Sequence, residues 1–255
     1  MMLKRVFLSV CFVLWAGASP AFFPTTPEVA DRVQTNFGSL DSYQVQLAAN
    51  GTMAVGQSIN FWSDSGRWRR EWVRETNGTA TLQRVDVGDG ARLYGTLPRE
   101  RTLPAPLLVL LHRTNLRSWW KELGIDTGHK RYAFIGQRPC LVLGDASAGQ
   151  GRRTEIWIDF ERWLPLRLAW GNGGSARFAR YRNVGNFLLP HKIVVDDGSG
   201  QHCRFSLQWQ GVNTQLPPRL FNASRLQAEY GTASFPSQPS YLLQWLRGVL
   251  PLVAR

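Results

Sequence analysis

Along most of this chain, short runs of alternating apolar and polar residues are separated by turns rich in glycine, asparagine and aspartate. In Ile156-Trp157-Ile158-Asp159-Phe160-Glu161-Arg162-Trp163-Leu164-Pro165-Leu166-Arg167-Leu168, apolar positions fall at Ile156, Ile158 and Phe160, and Leu166 and Leu168 resume the same period of two. Proline cannot sit inside a central ladder, so the segment predicts two strands around a tight turn. Comparable runs cover 43–49, 58–62, 67–75, 81–87 and 92–94, then 132–135, 140–143, 155–160, 166–170, 176–182, 192–196 and 203–209. Gly88-Asp89-Gly90, Gly171-Asn172-Gly173-Gly174 and Asp197-Gly198-Ser199-Gly200 have the chemistry of hairpin turns. The pattern predicts a meander that forms one large antiparallel sheet, in a protein that is mainly β with some α. Asn50, Asn77 and Asn222 each begin an Asn-x-Ser/Thr triplet and read as turn residues.

Three segments carry a helical period instead. Thr25-Thr26-Pro27-Glu28 combines a hydroxyl cap, a proline in the first turn and an early acid, after which Val29, Val33 and Phe37 form one stripe and Gly38 a stop. Between Pro104 and Gly124, Leu107, Leu108, Leu110 and Leu111 predict a short apolar helix, and 115–123, with Trp119 and Trp120, predicts a second one. A sheet of this size must bury one face, and an apolar helix pair inserted into a meander fits the curved inner face as a lid. The third segment, 241–250, places Leu242, Trp245, Leu246 and Val249 on one face. It is too short to span a bilayer, and either docks on the domain or lies on a membrane surface.

The first 21 residues have the parts of an export signal: Lys4-Arg5, an apolar stretch from Val6 to Ala16, and small residues leading to Ser19-Pro20-Ala21. The expected organisation is a cleaved signal at 1–21, one β-domain over 22–231, and a Pro/Ser linker with the C-terminal helix over 232–255. The expected compartment is the periplasm. The formal net charge is +12 and stays strongly positive without Lys4 and Arg5. Nucleic acid is not an expected partner of an exported chain. The charge would attract anionic lipid headgroups or an acidic protein surface, and solvated, arginine-rich strand faces account for it equally well. Past the signal the cysteines are Cys140 and Cys203. An oxidising compartment allows a bridge between them, and two separate buried thiols fit the sequence as well.

Chemistry-bearing motifs are absent. The four histidines, His112, His129, His191 and His202, lack ligand spacing, and no nucleophile elbow, phosphate loop or dinucleotide fingerprint occurs. Acids are few and lie mostly in turns. The expectation is a chain that is not an enzyme and uses no metal and no cofactor. Aromatic content is high, with 11 Trp and 13 Phe. In Trp68-Arg69-Arg70-Glu71-Trp72-Val73, period two puts Trp68, Arg70 and Trp72 on one face. Arg70 then either lies among aromatics, where it could meet an anionic ligand group, or snorkels outward at the rim.

Taken in order, several motifs resemble the LolA-like periplasmic lipoprotein carrier family over Val29 to Phe221. They are Arg32-Val33-Gln34 with Leu40-x-x-Tyr43, Trp68-Arg69-x-Glu71-Trp72, Asp89-Gly90-x-x-Leu93-Tyr94 with Pro98, the insertion from Pro104 to Gly124, Trp157-Ile158-Asp159 with Leu164-Pro165, and Gly211-Val212-Asn213 with Leu216-Pro217 and Phe221. Where that family often has Arg-Pro before the aromatic strand, this chain has Ser63-Asp64-Ser65-Gly66, which leaves Arg67, Arg69 and Arg70 as the charges near the mouth. The resemblance implies an incomplete, strongly curved antiparallel barrel closed by a helical lid around an apolar cavity for acyl chains. Lining residues would be Trp68, Arg70, Trp72, Leu107, Leu108, Leu111, Trp119, Trp120 and Ile158. It also implies a monomeric carrier that takes lipid or lipoprotein acyl chains from a membrane-protein donor to an outer-membrane acceptor. The alternative is a sensory or regulatory binding module of the same half-barrel that contacts a membrane protein.

Overall fold

The computed structural model describes residues 23–50, 56–89, 92–95, 116–145, 154–170, 173–196 and 198–230. The expected export signal, the expected first lid helix with Leu107, Leu108 and Leu111, and the expected C-terminal helix fall outside these residues. The opening helix, α1 (Thr26–Thr35), begins as its sequence predicts, with the Thr25 hydroxyl accepting from the Glu28 backbone N–H at 3.3 Å. Five strands follow: β1 (Ser42–Asn50), β2 (Gln57–Asp64), β3 (Arg67–Thr76), β4 (Thr79–Asp89) and β5 (Arg92–Gly95). Then come helix α2 (Leu116–Glu122) and strands β6 (Lys130–Ile135), β7 (Arg138–Leu143), β8 (Thr154–Asp159), β9 (Pro165–Trp170), β10 (Ser175–Val184), β11 (Phe187–Asp196) and β12 (His202–Val212). A 3-10 turn over Pro218–Phe221 and helix α3 (Ala223–Tyr230) complete the described chain.

All twelve strands belong to one antiparallel sheet in the order β5-β4-β3-β2-β1-β12-β11-β10-β9-β8-β7-β6. Sequence neighbours are therefore spatial neighbours everywhere except between β5 and β6, and the ring is joined along β1 and β12, where Leu47 faces Leu207 and Ala49 faces Phe205. The result is an open barrel whose two edges, β5 and β6, flank the inserted lid segment.

One face of this sheet carries the core. Val45, Leu47, Ile59, Phe61, Leu141, Leu143, Ile156, Ile158, Leu168, Ile193, Phe205 and Leu207 are all buried at period two on successive strands. Val29, Ala30 and Val33 of α1 and Leu116, Trp120 and Leu123 of α2 join the same cluster, so both helices lie on this inner face. Gly124, with φ +74, ends α2 where the sequence places its stop. The start of α1 is tied to the segment after α2 by the Thr26 hydroxyl donating to the Thr127 carbonyl and Lys130 Nζ donating to the Pro24 carbonyl.

Two features depart from the sequence reading. Helix α3 is new: Asn222 is its cap rather than a turn residue, its Oδ1 accepting from the Ser224 and Arg225 backbone N–H groups. Its apolar side chains Leu226 and Tyr230 pack on Val85 and Val87, the outer face of β4. Strand β11 starts at Phe187, upstream of Pro190. Arg180, at φ +56, and His191 opposite it interrupt the β10–β11 pairing without a change of register, and β12 pairs with β11 only from Lys192 onward, so the missing Pro190 N–H breaks no ladder bond.

Of the two readings the sequence left open for the cysteines, the structure has two separate thiols, both free and buried. Cys203 on β12 lies in the inner core, whereas Cys140 on β7 alternates with inward-facing Leu141 and points to the outer face, with β8 to β11 lying between the two strands. Opposite faces and four intervening strands put the two sulfurs beyond bridging geometry. Burial pushes the Cys203 thiol up to about 12.

Native protein should accordingly leave Cys203 unmodified by iodoacetamide at neutral pH, and peptide mapping after denaturation without reductant should find Cys140 and Cys203 alkylated. A Cys140–Cys203 cross-linked peptide would contradict the strand order. Trp120, fully buried at the centre of the lid contact, should cost about 3–5 kcal/mol of unfolding free energy when replaced by alanine, read from urea denaturation. A loss below 1 kcal/mol, on the order expected of a surface site, would show that α2 does not pack on the sheet.

Candidate functional site at the inner face

The inner face changes character toward the β5 edge. Tyr43, Phe61 and Trp68 come from consecutive strands β1, β2 and β3, and Trp209 comes from β12 on the other side. Phe61 stacks with Tyr43 at 5.9 Å and with Trp68 at 6.0 Å between ring centroids, and Trp209 meets Tyr43 edge-on at 5.7 Å. Cross-strand register produces this row, because Tyr43 lies opposite Ser63 and Ser63 opposite Trp68. Burial holds the Tyr43 hydroxyl above its ordinary range, so it stays protonated. Gly88 stands opposite Trp68, and a Cβ there would lie 2.1 Å from the indole ring. Glycine is what lets Trp68 lie flat on the sheet.

Beside this row sits a buried charge cluster. Arg70 faces Asp86 and Trp72 faces Arg84 across the β3–β4 pair. Arg70 donates to Asp86 Oδ2 through Nε at 3.1 Å and Nη2 at 2.7 Å, and Arg84 donates through Nε to Asp86 Oδ1 at 2.6 Å. The side chains of Arg70, Arg84 and Asp86 are 2%, 3% and 0% exposed, which places all three among the apolar residues of the inner face. Burial depresses the Arg70 pKa and Asp86 opposes that shift, with Arg84 adding to the depression; an arginine remains charged through both. The Arg70 guanidinium carbon lies 5.7 Å from the Trp68 ring and 5.2 Å from the Trp72 ring, so the cation is held between two indole faces. Among the described residues the cluster comprises two guanidiniums and one carboxylate, an excess of one positive charge.

Of the residues expected to line a cavity, Trp68, Arg70 and Trp72 share the inner face of β3, Ile158 faces the same core from β8, and Trp120 enters it from α2. Arg70 does not snorkel at the rim. Trp119 lies within α2, and Leu107, Leu108 and Leu111 lie outside the described residues. Arg84 and Asp86 are the site residues that sequence reading missed. Their strand alternates Arg84-Val85-Asp86-Val87, and period two alone leaves the inward set undecided. Among the described residues, no group of three His, Cys, Asp or Glu side chains is placed to hold a metal ion, and no helix is long and apolar enough to cross a membrane.

With this geometry in place, solved structures supply a comparison. The chain superposes on a LolA superfamily protein from Nitrosomonas europaea at a TM-score of 0.54, with 13% identity, covering 80% of this chain and 100% of that one. The fold is LolA-like. It is an open, antiparallel, mainly β half-barrel with its helices on the inner face, as the resemblance implied. Weaker likeness extends to the lipoprotein LppX of Mycobacterium tuberculosis, at a TM-score of 0.29 and 11% identity over 76% of this chain and 99% of that one. The MucA/MucB complex of Pseudomonas aeruginosa gives 0.31 and 14% identity over 77% of this chain and 60% of that one. No protein-family model and no curated protein matches the sequence.

The cluster depends on its one carboxylate. Asp86→Asn should cost about 3–5 kcal/mol in urea unfolding, because it strands buried guanidinium charge. Asp64→Asn should cost less than about 1 kcal/mol, since its partner Arg67 is 38% exposed. Equal losses for the two variants would mean that the inner cluster is solvated.

Proposed function

We propose that this protein is a periplasmic carrier that holds the acyl chains of lipids or lipoproteins between the inner sheet face and its covering helices, for transfer toward the outer membrane. The observation that carries this reading is the composition of that interior. Three indole N–H groups there, on Trp72, Trp120 and Trp170, are buried without a hydrogen-bond partner. An unmet buried donor costs free energy, and the ester or amide carbonyls at the head of an acyl chain would supply acceptors as the chain fills apolar space. Each buried methylene contributes about 0.8 kcal/mol, so one long chain provides useful affinity even after ordering costs. Release needs no cofactor if the helices open as a population shift and the acceptor binds the cargo more tightly. Donor and acceptor would be membrane proteins.

A second reading is a regulatory module that docks on a membrane protein, and one observation favours it. Phe134 on edge strand β6 is 68% exposed and Tyr132 is 41% exposed, an apolar edge of the kind that pairs with partners. Capture of a stable membrane-protein partner that is lost in Phe134→Lys, with no bound lipid, would select this reading.

The carrier reading is tested by quenching of tryptophan fluorescence with dibrominated stearate. Bromine reaching the interior should quench Trp72, Trp120 and Trp170 while outward-facing Trp157 keeps emitting, and the Trp72→Phe variant should lose part of the quenched fraction. Quenching no greater than with unbrominated stearate would sink the carrier assignment.

A further inference from the structure

Arg84 lies at the end of the charge cluster nearest the edge strand. Its Nε bonds Asp86 Oδ1 and its side chain is 3% exposed, with Nη2 3.8 Å from where a Cβ on Gly95 would lie. Directly opposite Arg84 in the ladder stands Trp72, whose Nε1 is buried and unbonded. A buried guanidinium and an unmet indole N–H therefore meet at one cross-strand pair, in a cluster where the described residues supply two guanidiniums and one carboxylate. That is a poor arrangement for a filled core and a good one for an anionic oxygen, since ion-assisted hydrogen bonds are the strong ones where water is excluded.

Access is also built in. Gly95 of edge strand β5 lies opposite Asp86 and is exposed. A Cβ there would lie 2.7 Å from Asp86 Oδ1 and 3.8 Å from Arg84 Nη2. The cluster thus sits beneath a position without a side chain, at the edge where the barrel is open, and the apolar interior extends from it toward β1, β12 and the helices.

We infer that Arg84 and Trp72 form a headgroup subsite for an oxyanion, phosphate or carboxylate, at the polar end of the bound acyl chain, a proposal that rests on the carrier reading. Asp86 and Arg70 position Arg84, Asp86 by fixing its Nε and Arg70 by sharing the carboxylate. The ligand is an anionic amphiphile whose charge neutralises the cluster's excess and whose tail lies against the inner face.

The test compares three probes that compete with a fluorescent fatty acid: dodecyl phosphate, dodecanol and inorganic phosphate. One charge-assisted contact of this kind corresponds to about a ten- to hundredfold preference. Wild type should bind dodecyl phosphate at least about tenfold more tightly than dodecanol. Arg84→Gln should narrow that ratio to near one, and Arg84→Lys should give a ratio between the two. If the wild type binds both amphiphiles equally, the headgroup subsite is wrong and the carrier stands. If it binds neither, both readings fall. If inorganic phosphate alone competes as well as dodecyl phosphate, the site takes free anions and the headgroup assignment is overturned. The wild-type ratio decides the matter even if Arg84→Gln does not fold.

Discussion

An open antiparallel sheet folded around one apolar interior must bury one face of its strands, and the rest of this structure follows from that requirement. Among the described residues twelve strands run in one order with β1 beside β12, and β5 and β6 are the two edges. Two-sided polarity is impossible for strands in such a sheet, so Leu47, Ile59, Leu143, Ile156, Ile158, Ile193 and Leu207 all point the same way. The chain covers that face with α1 and α2, which come from its start and from the insertion between the two edges. Both helices pack apolar side chains on that face, and α1 is also tied to the β8–β9 turn by Asn36 Nδ2 donating to the Arg162 and Trp163 carbonyls.

Against that frame the Arg70, Asp86 and Arg84 cluster is an exception with a cost. Removing two guanidiniums and a carboxylate from water is unfavourable, and their mutual attraction repays it only when geometry is good and hydrogen-bonding capacity is met. Asp86 meets the geometric condition, accepting on both oxygens at 2.6 to 3.1 Å. Trp68 and Trp72 add their ring faces to Arg70. The Trp72 indole N–H opposite Arg84 does not meet the second condition, and this pair lies on β3 and β4, toward the β5 edge of the apolar interior.

The fold was largely legible in the sequence because period two with glycine turns is a strong signal when it repeats a dozen times. All twelve strands, the Thr25 cap of α1 and the Gly124 stop of α2 could be read directly. What could not be read followed from the symmetry of that same signal. In Arg84-Val85-Asp86-Val87 the valines look like the buried set, yet they pack outward on Leu226 and Tyr230 of α3, and the charged set turns inward. Helix α3 itself was hidden because its two apolar contacts are sparse and its cap, Asn222, belongs equally well to a turn. On β3 the neighbouring tryptophans pointed to the inward set, so the aromatic half of the site was visible and its ionic half on β4 was not. The cysteines show the same limit, since spacing along a chain says nothing of which face each thiol takes.

The central claim is that the inner face holds an acyl ligand and is not a filled core. Native mass spectrometry of the protein, purified from its native host without detergent, tests it most directly. The account predicts added mass that disappears on organic extraction and matches an acylated, anionic species. Bare protein mass, persisting after incubation with lipids and lipopeptides, would contradict it and identify the interior as closed packing.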